Sequence, residues 1–218
     1  MTSFPNSPKL VKGGIVLVNP DTSLVHSFIP LQCNPETLTR SFQIQDSAVG
    51  DGGDKSQALR IKGPAVETLS LEAEIDATDL LEAGDADTES LGIHRELAAL
   101  ELLLYPASGS LRENNELARS GTLEILPTES LLTVFVWSKQ RVLPVRISEL
   151  SITEEAFDPL LNPLRARVSL TMRVLSVDDL GFDHKGGSLF MAYLENKERL
   201  RDRATKAQFN TLGIGKSL

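Results

Sequence analysis

Leu69, Leu71, Ala73 and Ile75 alternate with Ser70, Glu72, Glu74 and Asp76. A two-residue rhythm turns one side of a strand to a core and the other to water. The same rhythm runs longer over 165–177. There Ala166, Val168, Leu170, Met172 and Val174 share one side, and Arg165, Arg167, Ser169, Thr171 and Arg173 the other. Leu132 to Trp137 is short, apolar and β-branched, and Ser138 to Arg141 can turn it into a strand over 142–153. The alternation of that strand slips near Glu149 and Leu150, which predicts a β-bulge. Nearer the start, Ile15 to Val18 and 24–32 flank the turn-forming stretch Asn19 to Ser23 and predict a hairpin. A weaker period of two follows over 39–45.

Helical spacing appears in two places. Leu97, Leu100 and Leu104, widened by Ile93 and Leu103, predict a helix over 91–104 that Pro106 ends. In the tail, Leu189, Phe190, Tyr193, Leu194 and Leu200 form a stripe over 188–206, with Ser188 as the expected cap. A shorter acidic helix is expected around 80–82, entered through Asp76 to Asp79. Polar stretches at 47–57, 107–129 and 178–187 are predicted to be a loop, a long insertion loop and a linker. The pattern predicts a mainly β (α+β) fold, a β-barrel or sandwich with one packed helix, a long insertion loop and a C-terminal helix. Its expected division is a β domain over 1–177 and a linker with helical extension over 178–218.

Composition narrows the class. At 41% apolar and 24% charged, 218 residues suit one sizeable core. A formal net charge of -8 argues against a general phosphate-backbone binder, which needs a basic field. The one cysteine, Cys33, permits no intrachain disulfide and fits a reducing compartment. No apolar run reaches the ~20 residues of a membrane span. Met1 to Pro8 lacks the pattern of a secretion signal. The chain reads as soluble and folded in the cytoplasm.

Candidate chemistry is thin. His26, His94 and His184 stand apart, without metal-ligand spacing. Cys33 has no local base and reads as a half-buried residue at a strand end. Glu72, Glu74 and Asp76 recur on one strand side, where charge keeps that side wet rather than forming an acid–base pair. Gly50, Gly52 and Gly53 lack the lysine of a phosphate loop. No catalytic, cofactor or metal residue is assigned, and a non-enzymatic role is expected. Arg165, Arg167 and Arg173 either meet a partner's acidic surface or line a solvated face.

The order of these segments resembles the tube-like domain of contractile injection system proteins, the phage-tail-derived machines. The resemblance covers about 12–177. It runs through Cys33-Asn34-Pro35-Glu36 after the opening hairpin, then Gly63-Pro64 and the Leu69-Ser70-Leu71-Glu72 strand ending at Asp76. Val134-Phe135-Val136-Trp137 and Val145 to Leu150 follow, and Phe157 with Leu164 to Leu170 closes it. It implies a tail-tube-like barrel, six copies per ring, and a tube-initiator layer at the baseplate joining the spike protein to the inner-tube protein. A peptidoglycan-binding LysM module, carried by many relatives, has no counterpart after Val177. The implied partners are sibling chains, inner tube, spike and other baseplate proteins, with no nucleic acid, membrane or cofactor. Candidate partner contacts are Arg165, Arg167 and Arg173, and Leu189, Phe190, Tyr193 and Leu194 of the tail helix. That helix packs either on a neighbour or on its own domain. A regular inner-tube subunit and a ligand-binding β-barrel are the alternatives.

Overall fold

The computed structural model describes residues 12–45, 61–121 and 130–204. Seven strands run through it: β1 Gly14–Val18, β2 Val25–Pro30, β3 Leu38–Gln43, β4 Val66–Asp76, β5 Leu132–Ser138, β6 Arg141–Phe157 and β7 Pro163–Val174. Helices α1 Thr78–Glu82, α2 Ala86–Leu91, α3 His94–Glu101 and α4 Ser108–Arg119 lie between β4 and β5, and α5 Val177–Leu180 and α6 Lys185–Ala204 follow β7. Neighbouring strands pair antiparallel in the order β2-β1-β5-β6-β7-β4-β3.

One strand belongs to both halves of this sheet. β6 pairs with β5 only from Arg141 to Pro144, and with β7 from Val145 to Phe157. Its register slips between Ile147 and Glu149, so the bulge expected near Glu149 is present. The added twist of a bulge lets β6 turn from one half to the other. The two halves then share one core. Ile15, Phe135 and Leu143 of the first half cluster with Leu69, Leu71, Val168, Leu170 and Met172 of the second. The five apolar positions predicted from Ala166 to Val174 are 0–3% exposed.

β5 shows no alternation because it is covered on both faces. Phe135 enters the shared core, while Leu132 and Val134 pack with Val18 against Leu180 and Leu189 of α5 and α6. The corner between the halves is tied by Gln32. Its side-chain amide donates to the Asp76 carbonyl at 2.6 Å and accepts from the Asp76 amide at 2.8 Å, as a paired strand residue would.

Several expectations change. The sheet does not close, so the barrel gives way to a folded-over, sandwich-like arrangement with open edges at β2 and β3. The helix placed over 91–104 is shorter, running as α3 from His94 to Glu101, with Gly92 separating it from α2. Two helices rather than one supply core side chains, Leu97 and Leu100 from α3 and Phe190 and Tyr193 from α6. The insertion at 107–129 opens as helix α4, which buries no residue and so leaves no apolar stripe to read. The stretch 178–187 contains part of α5 and the start of α6. Ser188 consequently lies inside α6 and does not cap it. Cys33 is exposed. The loop at 47–57 lies outside the described residues.

Candidate functional site

The second half of the sheet, β6-β7-β4-β3, has an unusual outward side. Register places Thr39 and Ser41 beside Ser70 and Thr68, then Glu72, Glu74 and Asp76 beside Ser169, Arg167 and Arg165. Across β7, the outward residues of β6 are Glu149, Ser151, Thr153 and Glu155. From Thr68 to Asp76 and across its neighbours, this surface consists of hydroxyls, carboxylates and guanidinium groups. It is water-facing along four strands.

The three arginines singled out from sequence lie here, and each has an acidic neighbour within the chain. Arg165 Nε sits 2.7 Å from Asp76 Oδ2 and 3.3 Å from Glu74 Oε1. Arg167 pairs with Glu155 at 3.4 Å and Arg173 with Asp179 at 2.7 Å. Two hydrogen bonds from Thr78, with help from Arg165, hold the Asp76 carboxyl below its ordinary value, and Asp76 in turn raises Arg165. Half-exposed pairs of this kind add little to stability. Their effect is to neutralise the surface.

Both edges of this four-stranded half are unpaired among the described residues. On one side β3 has no neighbour beyond β4. On the other, β6 beyond Pro144 pairs only with β7. An unpaired edge offers a row of backbone donors and acceptors to another strand. Exposed apolar side chains flank these edges, Phe42 and Ile44 at β3 and Phe157, Leu160 and Leu161 at the far end of β6.

A buried polar cluster fixes α6 to this half. Glu67 is in phase with Leu69 and Leu71 on the core side of β4, and is only 3% exposed. Arg40 of β3 donates from Nε to Glu67 Oε1 at 2.8 Å, and Lys197 of α6 donates to Oε2 at 3.0 Å. The Tyr193 hydroxyl donates to the same carboxylate at 3.1 and 3.2 Å and accepts from Arg40 Nη2 at 2.7 Å. The Lys197 ammonium also lies 4.0 Å from the Tyr193 ring centroid. Pattern reading missed Glu67. Its signal is a charge two residues before Leu69, in phase with the core positions.

Burial, reinforced by the Glu67 charge, pushes the Tyr193 hydroxyl up to about 12. The neutral phenol is thus favoured in the folded chain, and the unfolded phenol ionises first as pH rises. The stability from this difference is complete below pH 10 and is lost between pH 10 and 12, by roughly 2–3 kcal/mol. Chemical unfolding from pH 9 to 12 should show a steeper loss for wild type than for Tyr193→Phe, which has no hydroxyl to titrate. Parallel curves would refute the assignment.

Of the tail-helix candidates, Phe190 and Tyr193 are 6% exposed and Leu189 and Leu194 half-buried. Within the chain they pack against its own core clusters. Among the described residues no group of three His, Cys, Asp or Glu side chains could hold a metal ion, and no helix is long and apolar enough to cross a membrane.

No protein-family model matches the chain, and no curated protein matches it. Among solved structures it is similar to a chain of the virion of a native gene transfer agent particle, at 10% identity and a TM-score of 0.27. That match covers 73% of this chain and 90% of the other. A likeness so shallow decides neither fold nor role.

Proposed function

We propose that this chain is a non-catalytic structural subunit of a contractile injection system, forming a ring at the baseplate that links the spike to the inner tube and initiates tube assembly. The observation that carries the reading is the four-stranded half with a polar outward side and two unpaired edges. Pairing the free edge of β6 with β3 of a neighbour would continue the sheet from copy to copy through a heterologous contact, which generates a ring when the rotation closes. Six copies of four strands exceed the ~16–18 at which closed barrels leave an aqueous channel. The hydroxyl- and charge-bearing side would face that channel, and the helices would lie outside. The segment order shared with tube-like domains supports the same reading. Assembly would take place in the cytoplasm, within a phage-tail-like particle.

The purified full chain is expected to form closed rings of uniform diameter by negative-stain microscopy, in an equilibrium that shifts with concentration. Removing the chain from a producer of such particles should leave no assembled particles. A chain that stays monomeric, with particles assembling normally in its absence, would sink the proposal. Dozens of copies per particle would instead favour the regular inner-tube subunit.

A further inference from the structure

The two ends of β6 differ in a complementary way. At its far end, the turn into β7 carries Phe157, Leu160 and Leu161 at 50%, 79% and 77% exposure. Glu154, Glu155 and Asp158 surround them, Glu155 also pairing with Arg167 across the hairpin, and no lysine or arginine lies between 154 and 162. This tip is held in one shape. Asp158 Oδ1 accepts from the Leu160 and Asn162 amides at 2.8 Å each, Oδ2 accepts from the Asn162 side chain at 2.8 Å, and Asn162 also donates to the Ser90 carbonyl at 3.2 Å. Leu161 sits at φ 66, a backbone region costly for a bulky residue. Two leucines are thus held in water by a built loop.

At the near end, the β5–β6 turn and α6 enclose a cleft of about 560 Å³. Val142, Leu189 and the half-exposed Leu200 give it apolar lining, Lys139, Arg199 and Arg203 line it as well, and no carboxylate does. Among the described residues, none of these three cations forms an ion pair within the chain. The tip is apolar within an acidic border, and the cleft is apolar within a basic one. A 17-residue strand separates them by up to about 50 Å, at about 3.3 Å per residue, so a copy cannot fill its own cleft.

We propose that the β6–β7 tip of one copy seats in the cleft between the β5–β6 turn and α6 of the next. The contact is heterologous, so each copy offers one tip and one cleft. It uses strand ends rather than strand flanks and adds to edge pairing without competing with it. Desolvated leucines hold the contact, and opposite charge steers and orients it. This rests on reading the chain as a self-assembling subunit.

Sedimentation velocity of the full chain tests it by charge exchange. Glu154→Lys with Glu155→Lys, or Arg199→Glu with Arg203→Glu, should each weaken self-association by at least about tenfold, and the four together should restore it. Glu154, Arg199 and Arg203 are exposed and Glu155 is half-buried beside Arg167, so unchanged circular dichroism is required of each variant to confirm folding. In a Cys33→Ser background with the charges intact, an equal mixture of Leu160→Cys chains and Ala192→Cys chains should give an oxidised dimer joining one of each. Unchanged association in either reversal, failure of the fourfold exchange to restore it, or absence of that dimer would overturn the contact. Wild type that remains monomeric would remove the ring reading as well, whereas rings indifferent to these changes would remove only the tip-in-cleft contact.

Discussion

Replacing Glu67 by alanine is expected to lower the unfolding free energy by about 3 kcal/mol, the usual cost of leaving one side of a buried ion pair uncompensated. In a chain of this size that corresponds to roughly 6–12 °C in Tm. The carboxylate is buried, but Arg40 and Lys197 are 26% and 37% exposed, which keeps the effect below the upper end for such pairs. Loss of Glu67 leaves both cations and the Tyr193 hydroxyl without their common acceptor. Exchange of Glu67 and Arg40 together for leucine should recover part of the loss, because Arg40 then leaves with its partner while Lys197 and Tyr193 remain. Urea unfolding of Glu67→Leu, Arg40→Leu and the double variant gives the coupling directly. Additive losses in that cycle would show that Glu67 and Arg40 are not coupled.

Gly92→Ala should cost about 3 kcal/mol or more, for a reason that concerns backbone alone. Gly92 ends α2 at φ 58, ψ −135, a combination outside the left-handed well that other residues occasionally visit. A Cβ there would also run into the Pro163 carbonyl. The next amide, Ile93 N, donates to that same carbonyl at 2.9 Å, so the close approach is built into the junction of α3 with β7. Gly84 is the control. At φ 71 with open space around it, it should lose only about 1–2 kcal/mol on the same substitution. Thermal unfolding of both variants separates the two causes, and equal losses would refute the clash.

How much could be read from the chain follows from what each residue touches. β4 and β7 were legible because one side meets a core and the other meets water over nine paired positions, Thr68 to Asp76 against Arg173 to Arg165. The bulge in β6 was legible as a slip of phase. β3 was faint because its core-side position Arg40 is given to Glu67, and a charge there breaks the apolar count. α4 was missed because it buries nothing. The start of α6 was missed for a different reason. Gly186 and Gly187 read as a linker, yet a Cβ at either would meet Leu180 or the Gly181 carbonyl, so close packing of α5 and α6 demands them. The assembly surface was only half legible. Outward positions show in the alternation, but free edges depend on which strands pair across the chain, and that is not a local property.

The division of β6 between two neighbours has a mechanical meaning. A pull applied lengthwise to its far end draws on β6 and β7 together through their turn and loads the β5–β6 bonds from Arg141 to Pro144 and the β7–β4 bonds from Arg165 to Arg173 in parallel, because every bond crosses the direction of force. They must give way together rather than one after another. A subunit so wired would hold its shape under a sudden axial thrust while yielding readily to peeling from the side.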